Sequence, residues 1–134
     1  WDRSVQEKLG PPPRWAECLP AGAETSREFL GKLHVMLQVN GGATENWPRS
    51  GLEAMARGVP VVAENRWGWR EMIRHGETGY LADSDDELAF YATRLGRDET
   101  CRQEIAHRAR QALENELANA EVLWANWRRV LENL

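Results

Sequence analysis

Two glutamates eight positions apart frame the stretch of this sequence with the most chemical content, Glu45-Asn-Trp-Pro-Arg-Ser-Gly-Leu-Glu53-Ala-Met-Ala-Arg-Gly-Val-Pro-Val-Val-Ala63. Glu45 reads as part of a strand-to-helix loop, and Glu53 falls in the first turn of the helix that follows. First-turn backbone N–H groups have no partner inside a helix. With the helix dipole they form a site for an anion such as a diphosphate. A carboxylate on each side of that site suits sugar and ribose hydroxyls, because a charged acceptor makes strong hydrogen bonds to O–H donors. Gly41 and Gly42 just upstream permit close backbone approach to a ligand. A purely structural role fits the same spacing. Ser50-Gly-Leu-Glu53 matches a capping box, in which the glutamate returns to the Ser50 N–H and caps the helix. Both readings stand at this point.

The elements that must hold these residues alternate. Residues 14–19 read as a short strand. Residues 25–33 read as a helix with Thr25 or Ser26 as its cap. Residues 34–39 form an apolar run of strand length, and 40–44 a loop. Residues 50–57 read as a short helix closed by Gly58 ahead of Pro60. Strands are expected at 59–63 and 78–82, and helices at 69–74 and at 85–95, the latter capped by Asp83 or Ser84. After Arg97 only helices are expected, at 99–117 and 121–134, with Asn119 between them. The alternation predicts an α/β fold, a Rossmann-like parallel sheet of about four strands with helices on both faces and C-terminal helices. Ligands of such sheets sit beyond the carboxyl ends of the strands. Those ends lead into loops at 20–23, 40–47, 64–69 and 83–85, and the second and third are rich in Gly, Trp, Asn and charge. Three segments follow: a connector or cut end over 1–13 with Pro11-Pro12-Pro13, a nucleotide-binding core over 14–97, and a helical tail over 98–134.

Composition narrows the function class. The chain has 134 residues, is 42% hydrophobic and 28% charged, and has a net charge of -4. That balance suits a soluble globular domain and argues against nucleic acid as a partner, which requires a clustered positive surface. No apolar run approaches the ~20 residues that span a bilayer, and no secretory leader is read at the start. A cytoplasmic location is expected, with membrane association not indicated. Cys18 and Cys101 form no metal or redox motif and are expected as reduced thiols. No metal or cofactor is expected. His34, His75 and His107 read as structural or exposed. Trp occurs seven times, a residue at home in half-buried, interface and ligand-contact positions.

The Glu45–Glu53 segment resembles the E-x7-E signature of retaining GT-B glycosyltransferases. The matching context runs on through Leu52-Glu-Ala-Met-Ala-Arg-Gly-Val-Pro-Val-Val-Ala63, then Gly68 with Glu71, then His75-Gly-Glu-Thr-Gly-Tyr-Leu81. Upstream, Ser26-Arg-Glu-Phe-Leu-Gly-Lys-Leu-His-Val-Met-Leu37 resembles the helix and strand that precede the signature. The resemblance covers residues 14–97, implies the C-terminal, donor-binding domain, and assigns roles. Glu45 would contact the donor sugar hydroxyls as the catalytic-site carboxylate, and Glu53 would hold the ribose. The N–H groups of Trp47, Arg49 and Ser50 would meet the sugar and diphosphate. Leu19, Pro20 and Ala21 would lie near the base. The implied partner is a nucleotide sugar, and the implied reaction is glycosyl transfer with retention, with cationic side chains and helix amides neutralising the leaving diphosphate in place of a metal.

The match has departures. Pro48 stands where the family usually has Gly and removes one N–H donor. Trp69 stands where a second Gly is common. The family's Arg and Lys pair that clamps the diphosphate has no match in 1–24, which leaves Arg49 and Arg66 as stand-ins. The resemblance also implies a partner that this stretch lacks, the N-terminal GT-B domain, without which the chain is expected to be inactive. In the last helix, Val122, Leu123, Trp127, Val130, Leu131 and Leu134 fall at helical spacing beside Trp124. They are expected to pack on the chain's own sheet; the resemblance implies the alternative that the terminal helix crosses to the N-terminal domain, which would leave this piece an apolar patch open to self-association. The alternatives are a non-catalytic sugar-nucleotide-binding or interaction domain and another GT-B enzyme, such as a sugar-nucleotide epimerase or a phosphorylase. A phosphorylase needs a lysine-borne pyridoxal site, and the only lysines, Lys8 and Lys32, lack that context.

Overall fold

A computed structural model describes residues 6–8, 10–40 and 44–133. Gly41 and Gly42 therefore lie outside the described residues, as does Leu134. The first well-formed helix, α1 (Ser26–Gly31), begins where the sequence offers a cap. Thr25 Oγ1 accepts a hydrogen bond from Glu28 N at 3.2 Å, and Glu28 Oε2 accepts one from Thr25 N at 2.9 Å. This reciprocal box pairs two donors that the helix start leaves free. The two donors to its carboxylate, led by the Thr25 N–H, hold Glu28 below its ordinary pKa.

Three short strands form one parallel sheet in the order β1-β2-β3: β1 (Met36–Gln38), β2 (Val61–Glu64) and β3 (Tyr80–Ala82). Met36, Leu37 and Gln38 pair with Val61, Val62 and Ala63, and β2 continues the register through Val62↔Tyr80, Ala63↔Leu81 and Glu64↔Ala82. Val61, Val62 and Ala63 are fully buried, as befits a central strand covered on both faces. The crossovers run through α2 (Arg49–Ala56) and through the single turn α3 (Trp69–Met72). Arg74 N donates to the buried Thr78 Oγ1 at 2.9 Å across the turn that leads into β3.

Beyond β3, α4 (Asp85–Arg97) is capped by Ser84, and α5 (Glu99–Ala112) by Asp98. The two cores lie on opposite faces of the sheet. One gathers Ala54, Met55, Val61, Ala63, Trp69 and Met72. The other gathers Val62, Tyr80, Ala82, Leu88 and Leu95. Helix α5 serves both, with Ile105 in the second core and Ala109 in the first. So the first helix beyond residue 97 is part of the folded body.

Four expectations need correction. Residues 14–19 are turn and coil, with Ala16 N bonded to Pro13 O at 2.9 Å and Trp15 exposed. Proline on either side limits regular pairing there, so the sheet has three strands among the described residues instead of about four. The helix from 69 ends at Met72 because Ile73 turns to an extended φ of -107° on the way to β3. The helix from 99 is not uniformly α: Leu113–Leu117 is a π-helical turn. Finally, α6 (Ala120–Glu132) does not pack on the sheet and buries none of its residues. Asn119 caps it by accepting from Glu121 N at 3.0 Å and Val122 N at 3.1 Å.

Candidate functional site

The start of α2 lies just beyond the β1 end of the sheet. Pro48 is its N-cap, fully buried, with φ -72° and ψ 100°. Its carbonyl accepts from Gly51 N at 3.0 Å and from Leu52 N at 3.4 Å. Ser50 is thus already inside the helix, because the proline ring pre-sets the entry φ two residues earlier. The capping box at Ser50 does not form, and because the helix starts at Arg49, Glu53 lies in its second turn instead of the first; the Glu53 carboxylate makes no hydrogen bond or ion pair among the described residues. The N–H groups of Trp47, Arg49 and Ser50 have no acceptor within the described chain. A helix start with free amides on an exposed surface is an anion-binding arrangement.

The Glu53 carboxylate faces a cavity of about 300 Å³ between α1 and α2, lined also by Ser26, Arg27, Leu30, Ala56 and Arg57. Arg27 and Arg57 carry no salt bridge, so two free guanidiniums flank one free carboxylate. The cations that sequence reasoning put forward lie elsewhere. Arg49 is exposed in the first turn of α2. Arg66 lines a smaller cavity with Glu64, Asp83, Ser84 and Asp85 at the ends of β2 and β3. Arg27 and Arg57 went unnoticed. Their signal was available only by supposing that α1 and α2 lie side by side.

Glu45 is half-buried, and Trp47 is exposed. Neither lines the Glu53 cavity, nor do Leu19 and Pro20, which are exposed in the coil ahead of α1. What holds the Glu45 loop is the opposite loop. Gly68 N donates to Glu45 O at 2.9 Å, and a Cβ on Gly68 would lie 1.9 Å from Asn46 O. Only glycine permits that approach. Trp67 just before it adopts a left-handed φ of 52°, a conformation that a bulky residue takes only when its surroundings impose it. The departure at Trp69 has a partner of its own. Its fully buried ring lies against Gly51, where a Cβ would come within 2.6 Å of Trp69 Cζ3 and 2.8 Å of Met72 Sδ. A large residue at 69 and none at 51 let α2 pack flat on α3.

Further bonds tie the loops at this end of the sheet. Asn40 N donates to Glu64 Oε2 at 2.8 Å, and Asn65 Nδ2 to Asp83 Oδ1 at 2.9 Å. Arg70 Nε donates to Asn65 O at 2.8 Å. The ends of β1, β2 and β3 are thus tied to one another by side-chain bonds.

The family profile described as "Glycosyl transferases group 1" matches residues 26–112, from α1 through α5. The chain belongs to this family. Among curated group 1 relatives and others, N-acetyl-alpha-D-glucosaminyl L-malate synthase of Bacillus anthracis is 35% identical over 74 residues, 54% of this chain and 19% of its own length. The amylovoran biosynthesis glycosyltransferase AmsK of Erwinia amylovora is 34% identical over 95 residues, 69% of this chain and 23% of its own length. The chain therefore spans about a fifth of these relatives. Solved structures share the fold, which is of GT-B type. Anabaena HepE in complex with UDP-glucose superposes with a TM-score of 0.66 at 25% identity, covering 80% of this chain and 29% of HepE. The C-terminal domain of LpcC from Francisella tularensis superposes with a TM-score of 0.63 at 23% identity, covering 75% of this chain and 52% of that domain.

Among the described residues, the histidines and cysteines form no further cluster. His34 and His107 are exposed, and His75 Nδ1 lies 3.0 Å from Leu81 O. Among the described residues, no group of His, Cys, Asp and Glu can hold a metal ion. Cys18 and Cys101 are free thiols. No helix among the described residues is long and apolar enough to cross a membrane.

Proposed function

We propose that this group 1 chain binds the donor of a nucleotide-sugar-dependent glycosyltransferase, as the C-terminal part of an enzyme that transfers its glycosyl group with retention. The observation that carries the reading is the unpaired Glu53 carboxylate on the same helix, α2, whose start leaves three backbone amides free among the described residues. A charged acceptor that caps nothing is available to hydroxyl donors, and the amides to a diphosphate. Glu53 holds the ribose hydroxyls. Glu45, on the loop braced by Gly68, takes the donor sugar hydroxyls. The amides of Trp47, Arg49 and Ser50 stabilise the negative charge that grows on the diphosphate as the glycosidic bond breaks. Gly41 and Gly42 allow the backbone to approach, and Leu19 and Pro20 lie toward the base. Arg27 and Arg57, which line the Glu53 cavity, join Arg49 and Arg66 as candidate cations for the diphosphate. Attack from the departing side of the sugar, with no protein nucleophile, retains the anomeric configuration. The acceptor is bound by an N-terminal GT-B domain, and transfer requires it.

The test is titration calorimetry against a panel of nucleoside diphosphates, with UDP first because HepE is seen with UDP-glucose. Binding by the wild-type chain and its loss in both Glu53→Ala and Glu45→Ala is the expected result. Binding indifferent to Glu53→Ala would sink the assignment. Pro48, which has no N–H to offer, favours the second reading, a domain that binds the sugar nucleotide without transferring it. Mixing the chain with a group 1 N-terminal domain and donor separates the two: glycosyl transfer supports the first reading, and binding without transfer the second.

A further inference from the structure

The cavity between α1 and α2 holds more than the Glu53 carboxylate. Arg57 stands four residues beyond Glu53, at the end of the same helix, and lines the same cavity. A glutamate followed by an arginine at that spacing is placed to pair along the helix surface. Here neither side chain makes an ion pair among the described residues. Arg27 of α1 lines the cavity from the other side and is unpaired as well. Leu30, buried against the core, contributes an apolar wall.

Charge alone makes the two arginines candidates for the diphosphate, but their position argues for another part of the ligand. The free amides belong to Trp47, Arg49 and Ser50, at the start of α2. At a helical rise of about 1.5 Å per residue, Glu53 lies about 5 Å beyond Ser50 along the axis and Arg57 about 6 Å beyond Glu53. A nucleoside diphosphate runs in the same order, from diphosphate through ribose to base. Amides, carboxylate and guanidinium match it group for group. The apolar wall agrees, because a planar ring gains from leaving water against Leu30 and a phosphate loses. A guanidinium carries five N–H donors and no acceptor. It therefore pairs with O6 and N7 of guanine or with O4 of uracil, and sets donor against donor at the exocyclic amino group of adenine or cytosine. We infer, on the donor-binding reading above, that Arg27 and Arg57 select the nucleotide base, taking the keto bases uracil and guanine over the amino bases cytosine and adenine.

Titration calorimetry of the full chain against UDP, GDP, CDP and ADP tests this. The variant is the double substitution Arg27→Gln with Arg57→Gln, because glutamine offers an acceptor as well as donors. Both arginines are exposed, so the variant should keep its fold, which circular dichroism checks. The wild-type chain should bind UDP and GDP about tenfold or more tightly than CDP and ADP. In the double variant UDP and GDP should fall to the level of the other two. Equal wild-type affinity for all four would overturn the inference, as would a preference that survives both substitutions. An equal loss for all four would overturn it too, since it would place the guanidiniums on the shared diphosphate. Wild-type binding of none of the four would instead remove the donor-binding reading itself, and the base selection with it.

Discussion

A methyl group added at Gly51 would lie 2.6 Å from the buried Trp69 ring, well inside contact distance. We expect Gly51→Ala to destabilise the chain by about 1–3 kcal/mol, the usual cost of overpacking, read as a lower urea midpoint. Gly68→Ala acts differently, because the obstructing atom is the Asn46 carbonyl oxygen on the site loop. It should displace Glu45 and weaken nucleotide binding by roughly tenfold or more, as small misplacements at positioned groups do. Glu53→Ala should change stability by less than about 0.5 kcal/mol, the range of ordinary surface changes, because the carboxylate caps nothing. A loss of 1 kcal/mol or more would restore its capping role. Tyr80 offers a pH handle. Burial, aided by the Cys101 thiol, raises its phenol above the ordinary 10.0. The folded chain therefore favours the protonated form. That contribution is fully present below pH 10.0 and is lost as pH rises through the raised folded value. The alkaline fall in urea midpoint should be shallower in Tyr80→Phe, and identical profiles would refute the claim.

At the scale of elements, caps and loop braces decide more than intrinsic propensity. Helix α1 is only six residues long and starts on the Thr25–Glu28 box. Thr25→Ala should cost about 1 kcal/mol, as cap removal does, in a thermal or urea melt. Since Glu28 titrates below its ordinary value, its half of the box holds above that ordinary value and is lost as pH falls through the lowered one. Helix α6 depends on Asn119 in the same way, but in a different place. Because α6 buries nothing, Asn119→Ala should fray it and reduce the helical dichroism, while the melting temperature of the core stays put. A drop in core stability would mean that α6 packs where the structure leaves it free. Helix existence and two caps were legible in the sequence: Thr25 and Ser84 each stand beside a periodic apolar run, whereas Asn119 reads only as a break between helices. The strand at 14–19 was not a strand, since a short run cannot declare whether a neighbour exists to pair with it. The Ser50 box failed for a related reason. Pattern alone cannot tell which of two adjacent starts a helix takes, and Pro48 chose the earlier.

Across the whole molecule, α5 holds the two faces of the sheet together, while α6 stands outside. Removing residues 119–134 should leave the remaining chain folded with a near-wild-type melting temperature. Its loss of fold would place α6 in the core. The site belongs to this scale too. Its loop after β1 is braced by the loop after β2, and its cavity is shared by α1 and α2, the helices before and after β1 in the chain.

The sequence alone determined the α/β alternation, the three central strands, the positions of the helices and the presence of an acidic pair around a helix start. Each of these is written in local periodicity and turn chemistry, which a linear pattern carries. The tertiary structure decided what that pair is free to do. Glu53 is released from capping by Pro48 and stands beside Arg27 and Arg57. Glu45 is held by Gly68, and Trp69 fits only because Gly51 leaves it room. It decided as well that the apolar stripe of α6 finds no cover on its own sheet. These outcomes rest on contacts between residues far apart in the chain, whose energies depend on distances of a few ångströms that no spacing of residue types encodes.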